Sequence, residues 1–270
     1  FHCWRHWGHG HMNMHDAIKQ SCDVYFYEMA KRMGIEPIAE TAHKFGLGER
    51  HDMPMTAVGD GLIPTRAWKQ ARRGEPWVTG DSLNASIGQG DVLTSPLQLA
   101  VMTARLASGR AVKPRLIWAM GDGVPKPVEE APPLDINPSF LRAIRKGMFG
   151  VSNEQPGTPR SSRIVADGLE IAGKTGTSQV RNITAAERAA GVTSNKDLPW
   201  ERRDHALFVS FAPYDKPKYA VAVVVEHGGG GSTAAAPVAR DIMLQALYDG
   251  LPPLAAYPAD QRERIEEQRK

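Results

Sequence analysis

Near the start of the chain, apolar positions recur at helical spacing. Met14, Ala17, Ile18 and Ser21 fall at i, i+3, i+4 and i+7, and Phe26, Met29, Ala30 and Met33 repeat that interval before Gly34, a residue suited to ending a helix. The interruption "SCD" at residues 21–23 predicts a tight junction between two helices, with Ser21 or Asp23 able to cap the second. Ser21 closes an otherwise apolar stripe, and an inward-facing hydroxyl must find partners. From residue 46 to 92 Gly, Pro, Asp and Arg replace the period, which predicts a long irregular excursion. The helical pattern returns in "TSPLQLAVMTARLASG", where Pro96 suits the first position, Leu97, Ala100, Val101 and Ala104 make a face, and Gly109 stops it. A further helix is expected over "INPSFLRAIRKGMFGVS", with strand composition in the preceding "AVKPRLIWAM" and loop in "GDGVPKPVEEAPP".

The last third turns to β patterning. "LEIAGKTGTSQV", "ALFVSFAP" and "YAVAVVVEHGG" are three strand candidates, the last two close enough for an antiparallel hairpin through "YDKPK". A final helix is expected with Ala235, Val238, Ala239, Ile242 and Ala246 on one face, followed by a charged, frayed tail over residues 251–270. Helices first, then sheet, then a covering helix indicate a mixed α/β chain of the α+β kind, an antiparallel sheet flanked by helices.

Composition changes this picture little. With 41% hydrophobic and 23% charged residues, 270 positions can bury a core, and a net charge of +3 with scattered cations gives no case for nucleic acid or an anionic membrane surface. No run of eighteen apolar residues occurs, and "FHCWRHW" reads as the interior of a protein, with no signal-peptide pattern.

Candidate chemistry centres on "IAGKTGTSQV". "GLEIAGKT" fits a phosphate loop letter for letter. However, "LEIA" is apolar and strand-like, and "TGTSQV" is poor material for the helix that would hold a phosphate. On a strand, unless it twists locally, Lys174 and Gly176 face one way and Thr175 and Thr177 the other, and glycine at 176 leaves room for a ligand to pair with the backbone. A cation, two hydroxyls and backbone N–H groups suit a carboxylate and a developing oxyanion. A second cluster opens the chain: Cys3, His9 and Cys22, whose thiolates and imidazole suit zinc with a fourth ligand still required, the alternatives being a disulfide or a buried free cysteine. His2, His6, His11 and His15 are expected on the surface.

A Lys-Thr-Gly strand preceded by a serine motif resembles the penicillin-binding proteins and serine β-lactamases, which combine S-x-x-K, S-x-N and K-T-G. "SCDVYFYEMAKRMG", "WGHG", "LIPTRAWKQ", "IGQG" and "HALFVSFAPYDKPKYAVAVVVEHGG" make the likeness closest to class B transpeptidases of the penicillin-binding protein 2 type, over residues 1 to about 250. The resemblance implies a serine β-lactamase/transpeptidase-like fold and a peptidoglycan D,D-transpeptidase that also binds β-lactams. Ser21 would relay protons, Lys174 would tune that relay, Asp23 would help hold the stem peptide, and Thr175, Gly176 and Thr177 would hold the carboxylate and oxyanion. It further implies structural zinc on Cys3, His9 and Cys22 with an aspartate upstream, and no organic cofactor. It also implies glycan-polymerising partners of the elongation complex, and a periplasmic site on the inner membrane held by an N-terminal helix. Two departures stand out. No serine here has lysine three positions later, so the nucleophile is expected upstream and the chain by itself is expected not to be acylated. Asp23 replaces the usual asparagine, and an ionised aspartate can only accept. A D,D-carboxypeptidase, a serine β-lactamase relative or a non-catalytic penicillin-recognising domain would share these motifs.

Overall fold

The computed structural model describes residues 1–270 except 6, 122, 126, 185, 186, 188 and 189, so the expectation for His6 lies outside the described residues. Chain contacts divide it into two compact units: Phe1–Cys22 with Ala143–Lys270, and Asp23–Arg142.

The first unit is built on an antiparallel sheet of β3 (Ala172–Ser178), β4 (His205–Ala212) and β5 (Tyr219–Val225), in that spatial order. All three strand candidates therefore form, and the hairpin of the last two closes as expected. Lys174 pairs with Val209, Thr175 with Phe208, Gly176 with Leu207 and Thr177 with Ala206. Ala206, Phe208 and Ala212 alternate onto one buried face of β4, and the helix α8 (Ala236–Tyr248) covers it with Ala236, Ala239, Met243 and Leu244. Gly173 is required by this packing: a Cβ there would lie 2.3 Å from the Phe208 ring and 2.7 Å from the Val209 carbonyl. Its place inside a sheet, with Ile171 fully buried just before it, removes the phosphate-loop alternative.

Two expectations for the end of the chain fail together. The buried stripe of α8 runs through Ala236, Ala239, Arg240, Met243 and Leu244, leaving Val238 and Ile242 exposed. The tail is not frayed, because helix α9 (Arg262–Gln268) delivers Ile265 into the same core, alongside Tyr257. One residue explains both. Arg240 is 1% exposed, lies over the Tyr257 ring, and donates to Gln261 Oε1 at 2.6 Å and Asp241 Oδ1 at 2.8 Å. An arginine so satisfied turns inward, which hydrophobic periodicity alone cannot anticipate.

In the second unit, α2 (Asp23–Met33) packs on α3 (Glu36–Lys44) and on α5 (Thr79–Ser86). Its most buried residues are Tyr27 and Ala30, while Met33 is exposed. The expected irregular stretch from 46 to 92 contains α5 and also α4 (Arg66–Arg73). These helices are specified by polar ends, not by an apolar period: Thr65 Oγ1 accepts from the Trp68 N–H at 3.1 Å, and Asp81 accepts from the Val78 N–H at 2.9 Å. The helix α6 (Pro96–Ser108) starts and stops where the caps predict, with Gly109 left-handed at φ 69°. Its buried face, however, includes Gln98, Thr103 and Arg105, whose side chains reach the carbonyls of Glu49 and Asp60, of Leu99, and of Lys44 and Val112 respectively. The strand expected in "AVKPRLIWAM" reduces to the pair β1 (Ala119–Met120) and β2 (Val124–Pro125). Pro114 lacks an N–H, and exposed Leu116 and Trp118 have no sheet to cover. Helix α7 (Pro138–Asn153) forms as predicted, and its residues from Ala143 onward belong to the first unit.

Candidate active site

The helix α1 (Met14–Gln20) begins at Asn13, whose side chain accepts from the Asp16 N–H, and ends at Ser21. Ser21 is left-handed, at φ 55° and ψ 54°, a conformation that costs a non-glycine residue about 1–2 kcal/mol. It therefore terminates the first helix and does not cap the second, which starts at Asp23. The sharp reversal turns the Ser21 hydroxyl toward the sheet. There the Lys174 ammonium donates to Ser21 Oγ at 2.9 Å, and also to the Thr175 carbonyl at 2.9 Å. Two residues 153 positions apart are thus hydrogen-bonded, which sets a hydroxyl directly beside a cation.

Thr175 and Gly176 are half-buried and Thr177 is exposed along the same strand. On one side, the backbone of Gly176 is approached within the chain itself. A Cβ on Gly231 would lie 2.5 Å from the Gly176 carbonyl and 2.4 Å from the Leu207 carbonyl, so the π turn Gly231–Ala235 rests directly on the strand. Asp23 opens α2 in the second unit.

Cys3, His9 and Cys22 come together, as the resemblance implies. One ligand atom from each lies within 4.8 Å of the others, with Cys3 Sγ and His9 Nδ1 3.4 Å apart, and both cysteines are free thiols. The disulfide alternative is thereby removed. Ligands sharing one tetrahedral zinc stand about 3.5–4 Å apart, so two thiols and an imidazole at this separation fit a soft divalent metal.

Sequence reasoning overlooked two groups of residues. Trp4 donates its indole N–H to the Gln20 carbonyl at 3.1 Å and the Ser21 carbonyl at 2.8 Å, and its ring meets His9 edge-on with centroids 5.5 Å apart. No periodicity marks a tryptophan in a loop for such a task. His2 and His11 are exposed as expected, whereas His15 is half-buried and sits 2.9 Å from Glu154 Oε2. Lys19, buried, reaches the same carboxylate at 3.3 Å and Asp16 at 2.9 Å. The hydrogen bond from His15, followed by that from Lys19, holds the Glu154 carboxyl below the usual range. Asp16 is lowered by its bond from Lys19, and Lys19 is correspondingly raised by Asp16. This cluster fixes α1, and with it Ser21, against α7.

Residues 1–244 match the family model of the penicillin binding protein transpeptidase domain. The peptidoglycan D,D-transpeptidase MrdA of Haemophilus influenzae is 37% identical over 99% of this chain, which spans 42% of that protein. Among solved structures, Pseudomonas aeruginosa PBP2 in complex with WCK 5153 superposes with a TM-score of 0.77 at 34% identity, covering 96% of this chain and 54% of that one. Helicobacter pylori PBP2 in complex with MreC gives a TM-score of 0.77 at 33% identity, over 92% of this chain and 42% of that one. The serine-to-lysine contact thus stands in the fold that these relatives share, with the same antiparallel sheet flanked by helices, and the chain belongs to the penicillin-binding protein transpeptidase family.

Proposed function

We propose that this chain is the C-terminal portion of the catalytic domain of a peptidoglycan D,D-transpeptidase, which cross-links stem peptides during cell-wall elongation through an acyl-enzyme and is acylated by β-lactams. The observation that carries the reading is the 2.9 Å contact between Lys174 Nζ and Ser21 Oγ. Ser21 passes the proton between the attacking serine, supplied upstream in an S-x-x-K segment, and the departing amine, while the Lys174 charge biases that transfer. Thr175 and Thr177 bind the carboxylate of the stem peptide, the Thr177 N–H and the backbone at Gly176 face the oxyanion, and Asp23 accepts from the peptide.

The donor set of Cys3, His9 and Cys22 fits zinc, completed by an upstream aspartate. When bound, the metal supplies a structural cross-link that holds Cys22, and so the neighbouring Ser21, by its backbone. The intact protein works at the periplasmic face of the inner membrane beside glycan-polymerising proteins; the MreC complex of the Helicobacter relative supports partners of this kind.

Incubation of the full-length protein with a fluorescent penicillin tests the proposal. One label per chain is expected, on a serine outside residues 1–270, and none on residues 1–270 alone. A full-length protein that takes no label sinks the transpeptidase reading, and a label on any serine within this sequence overturns the upstream nucleophile.

A further inference from the structure

Resting on the role proposed for Ser21, we infer that Trp4 is a positioning residue for the reaction, its indole N–H holding Ser21 in the left-handed conformation that presents Oγ to Lys174. The last carbonyls of helix α1 have no partners inside the helix. Each finds a donor elsewhere. The Ala17 carbonyl accepts from the Cys22 N–H at 2.9 Å, the Ile18 carbonyl from the Ser21 N–H at 3.3 Å, and the Lys19 carbonyl from Thr158 Oγ1 at 3.1 Å. The Gln20 carbonyl and the Ser21 carbonyl accept from the one indole N–H of Trp4, at 3.1 and 2.8 Å. Trp4 thus completes the helix end and grips Ser21 on the side opposite its own N–H.

The grip matters because of what Ser21 would otherwise do. A serine at φ 55° sits in a region that L-residues enter only under constraint from their surroundings. Relaxed to the right-handed region, it would add a residue to α1, redirect its carbonyl away from Trp4, and swing Oγ off the Lys174 ammonium. The Ser21 N–H is shared between the Ala17 and Ile18 carbonyls, the latter at 3.3 Å, and at the Ser21 carbonyl the restraint comes from the indole at 2.8 Å. Cys3 Sγ lies 4.0 Å from the same carbonyl and contributes only weakly.

The test is Trp4→Phe in the full-length protein, a change that keeps a ring over the junction and deletes the N–H. The acylation rate at saturating fluorescent penicillin is expected to fall about fivefold, the scale of one lost hydrogen bond, with the half-saturating concentration changed by less than about twofold. The Nζ resonance of Lys174 in isotope-labelled protein is expected to move, with metal content and melting temperature retained. An unchanged saturating rate, a loss confined to half-saturation, or a loss that tracks metal release or melting overturns the positioning role. If the unaltered protein takes no label, the transpeptidase reading fails by itself and the Lys174 resonance alone decides this one: a shift in Trp4→Phe supports it, and none overturns it.

Discussion

Lys174 Nζ and Ser21 Oγ meet at 2.9 Å although they belong to a strand and a helix end 153 positions apart. Removal of either partner is expected to remove a proton transfer, which general acid–base catalysis values at about 10²–10⁴-fold. Lys174→Ala in full-length protein should therefore lower the saturating acylation rate by at least about a hundredfold while the fold persists, because the side chain belongs to no apolar core. Stopped-flow labelling beside circular dichroism checks both halves; near-normal labelling with intact structure would falsify the relay.

Much of this pair was legible before any coordinates. The Lys-Thr-Gly strand and the "SCD" break are local patterns with physical meaning, and the sheet around them follows from alternation. The hidden parts are polar groups turned inward. Gln98 and Arg105 turn inward because backbone carbonyls distant in sequence satisfy them, and Arg240 because the side-chain oxygens of Gln261 and Asp241 do, so these polar side chains occupy the inner face of their helices. The sequence offers Ser21 or Asp23 as a cap for the following helix, yet the left-handed backbone of Ser21 ends the preceding one, a choice fixed by Trp4 and Cys22 contacts that no local pattern encodes.

The metal cluster gives a prediction that needs no activity. Cys22→Ser replaces a soft ligand by a hard one, and is expected to reduce bound zinc in full-length protein well below one per chain and to lower its melting temperature by several degrees. Elemental analysis with a thermal melt reads the result. Full zinc retention in the variant would remove Cys22 from the site.

Acid should weaken the seat of α1. Glu154 is held below the usual carboxylate range first by His15 and then by Lys19, so it binds protons less readily in the folded state than in the unfolded one. Its contribution is complete above the unfolded value and is lost as pH falls below about 5 and through the folded value. The Glu154 side chain is 36% exposed, so screening limits each pair to about 0.2–1 kcal/mol. Glu154→Gln should lower stability near neutrality and flatten the acid side of a denaturation profile. A variant whose acid limb is as steep as the parent's would assign that limb to other groups.

The C-terminal segment is expected to behave as core. Ile265→Ala should cost about 2–4 kcal/mol, the usual range for a buried aliphatic truncation. Deletion of residues 251–270 should cost more, since it removes Tyr257 as well as Ile265 from the core and takes Gln261 from Arg240. Urea denaturation of the variants measures both, and a deletion as stable as the parent would restore the frayed tail.

Two glycines three positions apart on β3 separate folding from recognition. At Gly173 an added methyl would meet the Phe208 ring at 2.3 Å and a backbone carbonyl at 2.7 Å, whereas at Gly176 the nearest atom is Leu207 Cβ at 3.3 Å. Gly173→Ala forces Phe208 and its strand apart, so it is expected to destabilise by about 1–3 kcal/mol or more, and any loss of penicillin labelling would follow the loss of structure. Gly176→Ala needs only a few tenths of an ångström from one side chain, so the protein should fold. Its methyl would nonetheless stand beside the backbone that the proposed carboxylate and oxyanion site employs. Labelling that falls in Gly176→Ala at unchanged melting temperature would place ligand against that strand. Equal labelling of Gly176→Ala and parent would move the ligand elsewhere.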